Sequence, residues 1–257
     1  RSETGLKALF LAVAERCAGQ TALITDDGAL NYGELAAQVT AAAEQLSDDG
    51  RPGVPVLVDT PGSGSTARLQ ETIVRMLAAL VAGRPLVPID GSLPEHRREV
   101  IVRRCTDAVL PGCAVLVFTS GSTGVPKAVR QPETMWRNQI RELSADLDIV
   151  PGSTVLSALP VSFGGGLDIA LTALFSGAAF VPAEPRRDGI ERLLAALRQH
   201  RPESLHLAPA LLRTLTAHPA AAEALSGVRL VATCGEAPDA RDVARLRAVA
   251  PFIAFGN

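Results

Sequence analysis

Short, near-continuous apolar runs alternate with amphipathic segments along this chain, and that alternation leaves few folds open. The runs are "PLVPID" (85–90), "STVLSALP" (153–160), "AAFVPA" (178–183), "SLHLAP" (204–209), "VRLVATCG" (228–235) and "PFIAF" (251–255). Each is helix-short and apolar throughout, the signature of a strand covered on both faces. Between them, "ELAAQVTAAAEQL" (34–46) sets Leu35, Val39, Ala42 and Leu46 on one helical face. "RLQETIVRMLAALVAG" (68–83) does the same with Leu69, Ile73, Met76, Leu77 and Leu80, and Gly83 supplies a stop. Helices are also predicted over 133–147, 167–177, 188–200 with Asp188 as N-cap, 209–217 and 239–250. The pattern predicts an α/β fold of mixed, largely parallel sheets layered with helices. Ligands of such folds sit in loops beyond the carboxyl ends of strands. Three loops of unusual composition occupy such positions: 119–127, "LPVSFGGG" (159–166) and "TCGEAP" (233–238).

Composition excludes several partners. The net charge is -2, from 25 basic and 27 acidic residues, and paired arginines such as Arg97-Arg98, Arg103-Arg104 and Arg186-Arg187 are scattered. A nucleic-acid partner would favour a concentrated basic face. No apolar run reaches the ~18 residues of a membrane span, and no signal peptide is legible at the start. Cys17, Cys105, Cys113 and Cys234 form no CxxC, and the four histidines are dispersed, so neither a zinc site nor a disulfide framework is expected. Free thiols fit a reducing, cytoplasmic setting. The opening "RSETGL" lacks Met, so a cut or trimmed start is expected.

The stretch "VLVFTSGSTGVPKAV" (115–129) carries the most chemistry. An apolar strand hands over to Thr119, Ser120, Gly121, Ser122 and Thr123, four hydroxyls in five residues, then to Gly124, Pro126 and Lys127. Gly121 and Gly124 permit backbone angles closed to other residues. Such a bend can turn amides and hydroxyls inward as an anion nest, and the lysine adds a point charge that reaches a phosphate. A Walker A loop is excluded, because its second glycine would fall at Pro126 if counted from Gly121 and at Val129 if counted from Gly124. "KAVRQP" reads as strand or turn, so no helix dipole backs the loop.

"FTSGSTGVPKAV" resembles the signature loop of the adenylate-forming superfamily, which includes acyl-CoA synthetases, nonribosomal-peptide adenylation domains and luciferases. Weaker resemblances follow in the family's order: "LNYGELAAQV" (30–39), "LVAGRPLVPIDGSLP" (80–94), "LPVSFGGGLDIALTALFSGAAFV" (159–181), "TCGEAP", and "FGN" (255–257), similar to the start of an aromatic-G-x-T-E motif. The resemblance spans nearly the whole chain. It implies ATP-dependent activation of a carboxylic acid to an acyl-adenylate with release of pyrophosphate, then thioester formation on CoA or a carrier-protein pantetheine.

By this resemblance Thr119, Ser120, Ser122, Thr123 and Lys127 hold the β- and γ-phosphates, with Thr119, Ser120 and Lys127 assisting the chemistry, and Gly121 and Gly124 let the loop close. Gly235, Glu236 and Ala237 line the adenine pocket and Phe255 stacks on the ring. The acid pocket takes Phe163, Gly164, Gly165, Asp168, His206, Ala232 and Cys234. Amino-acid-activating relatives read F-D where this chain has Phe163-Gly164, and that Asp pairs with the substrate α-ammonium. Its absence argues against an ordinary α-amino acid, since a buried ammonium would lack its counter-charge. Asp168 either reaches the pocket, serving a displaced amine or a hydroxyl, or is a first-turn or N-cap residue of its helix. His206 either lines the pocket or is a structural histidine satisfied by a backbone carbonyl.

The chain departs from the family pattern in two places. The stretch from Asp90 to Val117 is shorter than usual, as if a strand and helix were missing. The chain stops at Asn257, before the family's Thr-Glu whose Glu supports Mg²⁺, before its ribose-binding Asp, and before a small C-terminal domain expected in cis or in trans. The expectation is a large N-terminal domain portion with approximate subdomains 1–145 and 146–257. The competing reading is a truncated or degenerate non-catalytic module that binds ATP or a partner within a synthetase.

Overall fold

The computed structural model describes residues 5–48, 51–62, 68–119 and 127–256. Its contacts divide the chain into two compact units, Arg1–Glu142 and Leu143–Asn257. The first begins with α1 (Leu6–Arg16), followed by the antiparallel pair β1 (Thr21–Thr25) and β2 (Gly28–Asn31), with Gly28 at φ 125° in the turn. α2 (Tyr32–Asp48) opens on a reciprocal cap. The Glu34 amide donates to Asn31 Oδ1 at 2.8 Å, and the Asn31 amide donates to Glu34 Oε2 at 2.9 Å. The early "LNYGEL" motif is therefore, in physical terms, a helix start. The face α2 buries runs through Tyr32, Leu35, Val39 and Ala43, one position off the expected Ala42.

β3 (Val56–Asp59) leads to α3 (Leu69–Val81), which is buried almost throughout from Thr72 onward. Gly83, at φ 66°, ends it in the left-handed region, as its sequence position predicts. β4 (Leu86–Ile89), α4 (Glu95–Thr106) and β5 (Cys113–Thr119) follow, so the short 90–117 stretch contains a crossover helix between parallel strands. α4 covers the sheet through Ile101 and Cys105, which pack with Val87, Ile89, Cys113 and Leu116. β6 (Lys127–Pro132) returns antiparallel to β5, giving the order β3-β4-β5-β6, and α5 (Glu133–Asp146) continues from it.

In the second unit β7 (Thr154–Ser157), α6 (Gly164–Ser176), β8 (Ala179–Pro182), α7 (Pro185–His200), β9 (Ser204–Leu207), α8 (Pro209–Ala217), α9 (Ala221–Ala224), β10 (Leu230–Thr233), α10 (Ala240–Val249) and β11 (Ala254–Gly256) alternate as the sequence predicts. Their strands lie in the order β11-β10-β9-β7-β8, every pair parallel. Two local expectations are corrected. α6 starts at Gly164, not Leu167, so the glycines lie inside the helix. Asp188 sits within the first turn of α7, and Gly189 (φ 79°, ψ 171°) breaks the helix just after it.

The strand order locates a crevice. From β7 the chain crosses by α6 to β8 on one side, then places β9, β10 and β11 on the other. The order therefore reverses between β7 and β9, the kind of switch point at which ligands of such sheets bind.

Candidate functional site

The loop candidates of the first unit hang from a strand pair. Thr119, the last residue of β5, pairs in register with Lys127, the first residue of β6. Residues 120–126 join the two, so Ser120, Gly121, Ser122, Thr123 and Gly124 lie outside the described residues. The strand feeding the loop is buried at Val115 and Leu116 and half-buried at Val117 and Phe118, so its burial fades toward the loop rather than holding on both faces throughout. Lys127 is exposed. β6, not a helix, follows it, in keeping with the failed Walker count.

In the second unit His206 and Ala232 lie on β9 and β10, and the other acid-side candidates lie in the segments that leave β7 and β10, near the switch in strand order. After β7 the chain turns through 158–163, with the Phe163 amide donating to the Pro160 carbonyl at 2.9 Å, and enters α6. Close packing dictates the glycines here. A Cβ on Gly166 would stand 2.0 Å from the Pro160 carbonyl oxygen, and one on Gly165 would stand 2.3 Å from Cys234 Sγ. Gly164 differs from both: nothing lies within 4 Å of where its Cβ would be. The first turn of α6 is thus pressed against the segment leaving β10, while its outermost residue faces open space.

Phe163 reaches over the same junction. Its ring edge comes 3.6 Å from the Cβ position of Gly165 and 3.9 Å from that of Gly235. The acid-side motif and the "TCGEAP" segment are therefore in contact through Phe163, Gly165, Cys234 and Gly235. Gly235, at φ 111°, takes a backbone conformation that side-chain-bearing residues rarely adopt. Gly235, Glu236 and Ala237 are exposed, and Phe255 is half-buried on β11, in register with Val231.

Asp168 lies in the second turn of α6, so it is neither an N-cap nor a first-turn residue. It is half-buried, and burial raises its carboxyl to about 6. Burial also raises the Cys234 thiol; the Asp168 charge adds to that, and a bond from the Gly235 amide opposes it. A nucleophilic role for Cys234 is not what this environment favours. His206 is 1% exposed. Its Nε2 lies 3.2 Å from Ser204 Oγ, two residues back on the same face of β9, so a hydroxyl and not a backbone carbonyl partners the ring. Burial lowers its pKa to about 4, leaving it neutral at physiological pH. Ala232 is its in-register neighbour on β10.

One support escapes sequence reasoning. Arg213 on α8 donates from Nη1 to Oδ2 of the buried Asp242 at 2.9 Å, and its Nη2 comes 3.9 Å from Glu236 Oε1. The adenine-side candidate Glu236 thus has an anchored cation beside it. Arg213 and Asp242 are 29 residues apart, and nothing local in the sequence signals their meeting. Among the described residues no three His, Cys, Asp or Glu side chains gather to hold a metal ion. Cys17, Cys105, Cys113 and Cys234 are free thiols, and no described helix is long and apolar enough to cross a membrane.

Parallel strands crossed by helices, a glycine-packed helix start at the switch point, and a hydroxyl-rich connection ending in lysine define an adenylate-forming type of domain. The family model described as AMP-binding enzyme matches residues 112–256, more than half of the chain, and the chain belongs to that family. It is 31% identical over 270 residues to phosphinothricin tripeptide synthetase PhsC of Streptomyces viridochromogenes, covering 87% of this chain and 24% of that protein. It is 30% identical to phenyloxazoline synthase MbtB of Mycolicibacterium paratuberculosis, covering 98% of this chain and 22% of that protein. The chain thus spans about a quarter of the length of these curated relatives. The AMPPNP-bound nonribosomal peptide synthetase FmoA3 shares the fold, with a TM-score of 0.83 at 22% identity, over 99% of this chain and 31% of that one.

Proposed function

We propose that this protein activates a carboxylic acid with ATP. A carboxylate oxygen attacks the α-phosphorus, the bond from that phosphorus to the α,β-bridging oxygen breaks, and pyrophosphate leaves with the electron pair. Charge spreads over phosphate oxygens as it does so, and pre-placed donors and a cation stabilise it. Thr119, Ser120, Ser122, Thr123 and Lys127 serve that purpose on the β- and γ-phosphates, with Gly121 and Gly124 letting the backbone close. Gly235, Glu236, Ala237 and Phe255 take the adenine, and Arg213 steadies Glu236. Phe163, Gly164, Gly165, Asp168, His206, Ala232 and Cys234 surround the acid. Since Gly164 offers no counter-charge, the acid is not an ordinary α-amino acid.

The acyl group then passes to the thiol of CoA or of a carrier-protein pantetheine, with parts supplied beyond these residues. By the family resemblance Mg²⁺ would accompany the ATP phosphates; among the described residues no three His, Cys, Asp or Glu side chains gather to hold it. The observation that carries the proposal is the contact of the α6 start with Cys234 and Gly235, which brings the acid-side and adenine-side motifs together. The nucleotide analogue held by FmoA3 and the synthetase nature of PhsC support it.

The test is ATP–pyrophosphate exchange by the full-length polypeptide across a panel of carboxylic acids. Exchange is expected with some acids, falling about 100- to 1,000-fold in Lys127→Ala. Silence with every acid would favour a non-catalytic nucleotide-binding module, and ADP in place of AMP as product would indicate phosphotransfer.

A further inference from the structure

We propose that the acid activated by this protein carries an ammonium group away from its α-carbon, and that Asp168 is the counter-charge that receives it. This rests on the adenylation reading above and names the substrate class of the same site. Gly164 and Asp168 are four residues apart on α6, hence on one face, about 6 Å apart along the axis. Nothing lies within 4 Å of a Cβ position at Gly164, and the Asp168 charge is close enough to Cys234, the side chain against which Gly165 packs, to act on its thiol.

That carboxylate is half-buried and makes no hydrogen bond or salt bridge with any described residue. A desolvated anion without a partner is costly, and proteins rarely keep one unless something binds it. The carboxylate's titratable neighbour Cys234 has a thiol driven toward its neutral form and supplies no positive charge. His206, also on the acid side, is neutral. Water reaches the half-buried carboxylate in part, and a cation brought by the ligand would stabilise it further. A hydroxyl would satisfy the geometry less well in energy, because an ionised acceptor gains more from a charged donor.

By the family resemblance an ammonium on the α-carbon would meet position 164, which is glycine here. An acid whose ammonium sits on the β-carbon or beyond reaches Asp168, about one helical turn further along.

Pyrophosphate exchange by the full-length polypeptide with matched acids tests this: α-amino, β- or γ-amino, β-hydroxy and unsubstituted acids on the same carbon skeleton. The β- or γ-amino acid should give the highest kcat/KM. In Asp168→Asn the loss for that acid should exceed the loss for its unsubstituted counterpart by about 100-fold. Gly164→Asp, which has room for its side chain, should raise α-amino acid exchange at least about tenfold over wild type. Strong exchange that prefers the hydroxy or unsubstituted acid, or an Asp168→Asn loss equal for all acids, would overturn the inference and leave adenylation standing. No exchange with any acid would overturn the adenylation reading and the inference with it.

Discussion

Asp168 and His206 pull stability in opposite directions as pH changes. His206 is buried neutral, with its folded pKa at about 4, below the unfolded ~6.5. Between those values the unfolded chain binds the proton that the folded one refuses. Its contribution is complete above pH ~6.5 and drains away as the pH falls toward 4, to a total of roughly 3 kcal/mol. Asp168 is raised to about 6, so the folded state holds its proton where the unfolded state has lost it. That contribution is present below the unfolded pKa of ~3.9 and lost as pH rises through 6. Denaturant midpoints measured from pH 4 to 8 should separate the two. His206→Gln should flatten the fall in stability below pH 6.5. Asp168→Asn, without substrate, should be more stable than wild type at pH 7.5. An Asp168→Asn protein that is less stable there would mean that the carboxylate has a structural partner after all. The pattern is that of a binding group held in place at a cost to the empty fold.

At the scale of elements, the start of α6 shows what three identical letters conceal. Gly164, Gly165 and Gly166 face open space, a thiol and a carbonyl respectively. Alanine at 164 should be neutral or stabilising by about 0.5 kcal/mol, because glycine is a poor helical residue. Alanine at 166 must displace the Leu159–Pro160 backbone, and a destabilisation of about 2–3 kcal/mol is expected. Alanine at 165 should fall between, since the Cys234 side chain gives more readily than a backbone. Thermal unfolding of the three variants checks the order, and equal effects would contradict the packing described. The sequence alone does not tell the three glycines apart, because a glycine's need for space is set by what crosses it, and Pro160 and Cys234 cross from other segments. The same limit hides Arg213 and Asp242, whose meeting depends on α8 packing against α10. α4 is missed for another reason: it is charged along most of its length and buries little beyond Ile101 and Cys105, so it carries almost no apolar stripe. What is legible is what a single element decides, namely the buried parallel strands and the Gly83 stop, whereas the hydroxyl partner of His206 on β9 takes the place of the carbonyl that the sequence suggested.

Over the whole molecule, the candidates sort by unit. Those assigned to the departing phosphates, from Thr119 to Lys127, belong to Arg1–Glu142, and those assigned to adenine and acid belong to Leu143–Asn257. Ligands that carry different parts of the reaction should therefore answer to different substitutions. A non-hydrolysable acyl-adenylate mimic has adenosine and an acyl group but no β- or γ-phosphate. At about 1,000 times its Kd a ligand specific for the native state adds about 4 kcal/mol, and a chain of this size gains about 2–4 °C in Tm per kcal/mol. The mimic should raise Tm nearly as much in Lys127→Ala as in wild type, while the shift given by ATP or pyrophosphate should shrink. Asp168→Asn should do the reverse when the acyl part bears a β-ammonium, weakening the mimic and sparing pyrophosphate. Thermal shifts measured on the full-length polypeptide with the ligands crossed against both variants decide the matter. Equal losses for every ligand in either variant would mean that the substitution harms the fold and not one end of the nucleotide. A mimic that depends on Lys127 would place the lysine on the acyl-adenylate itself, and the division of labour between the two groups of residues would have to be redrawn.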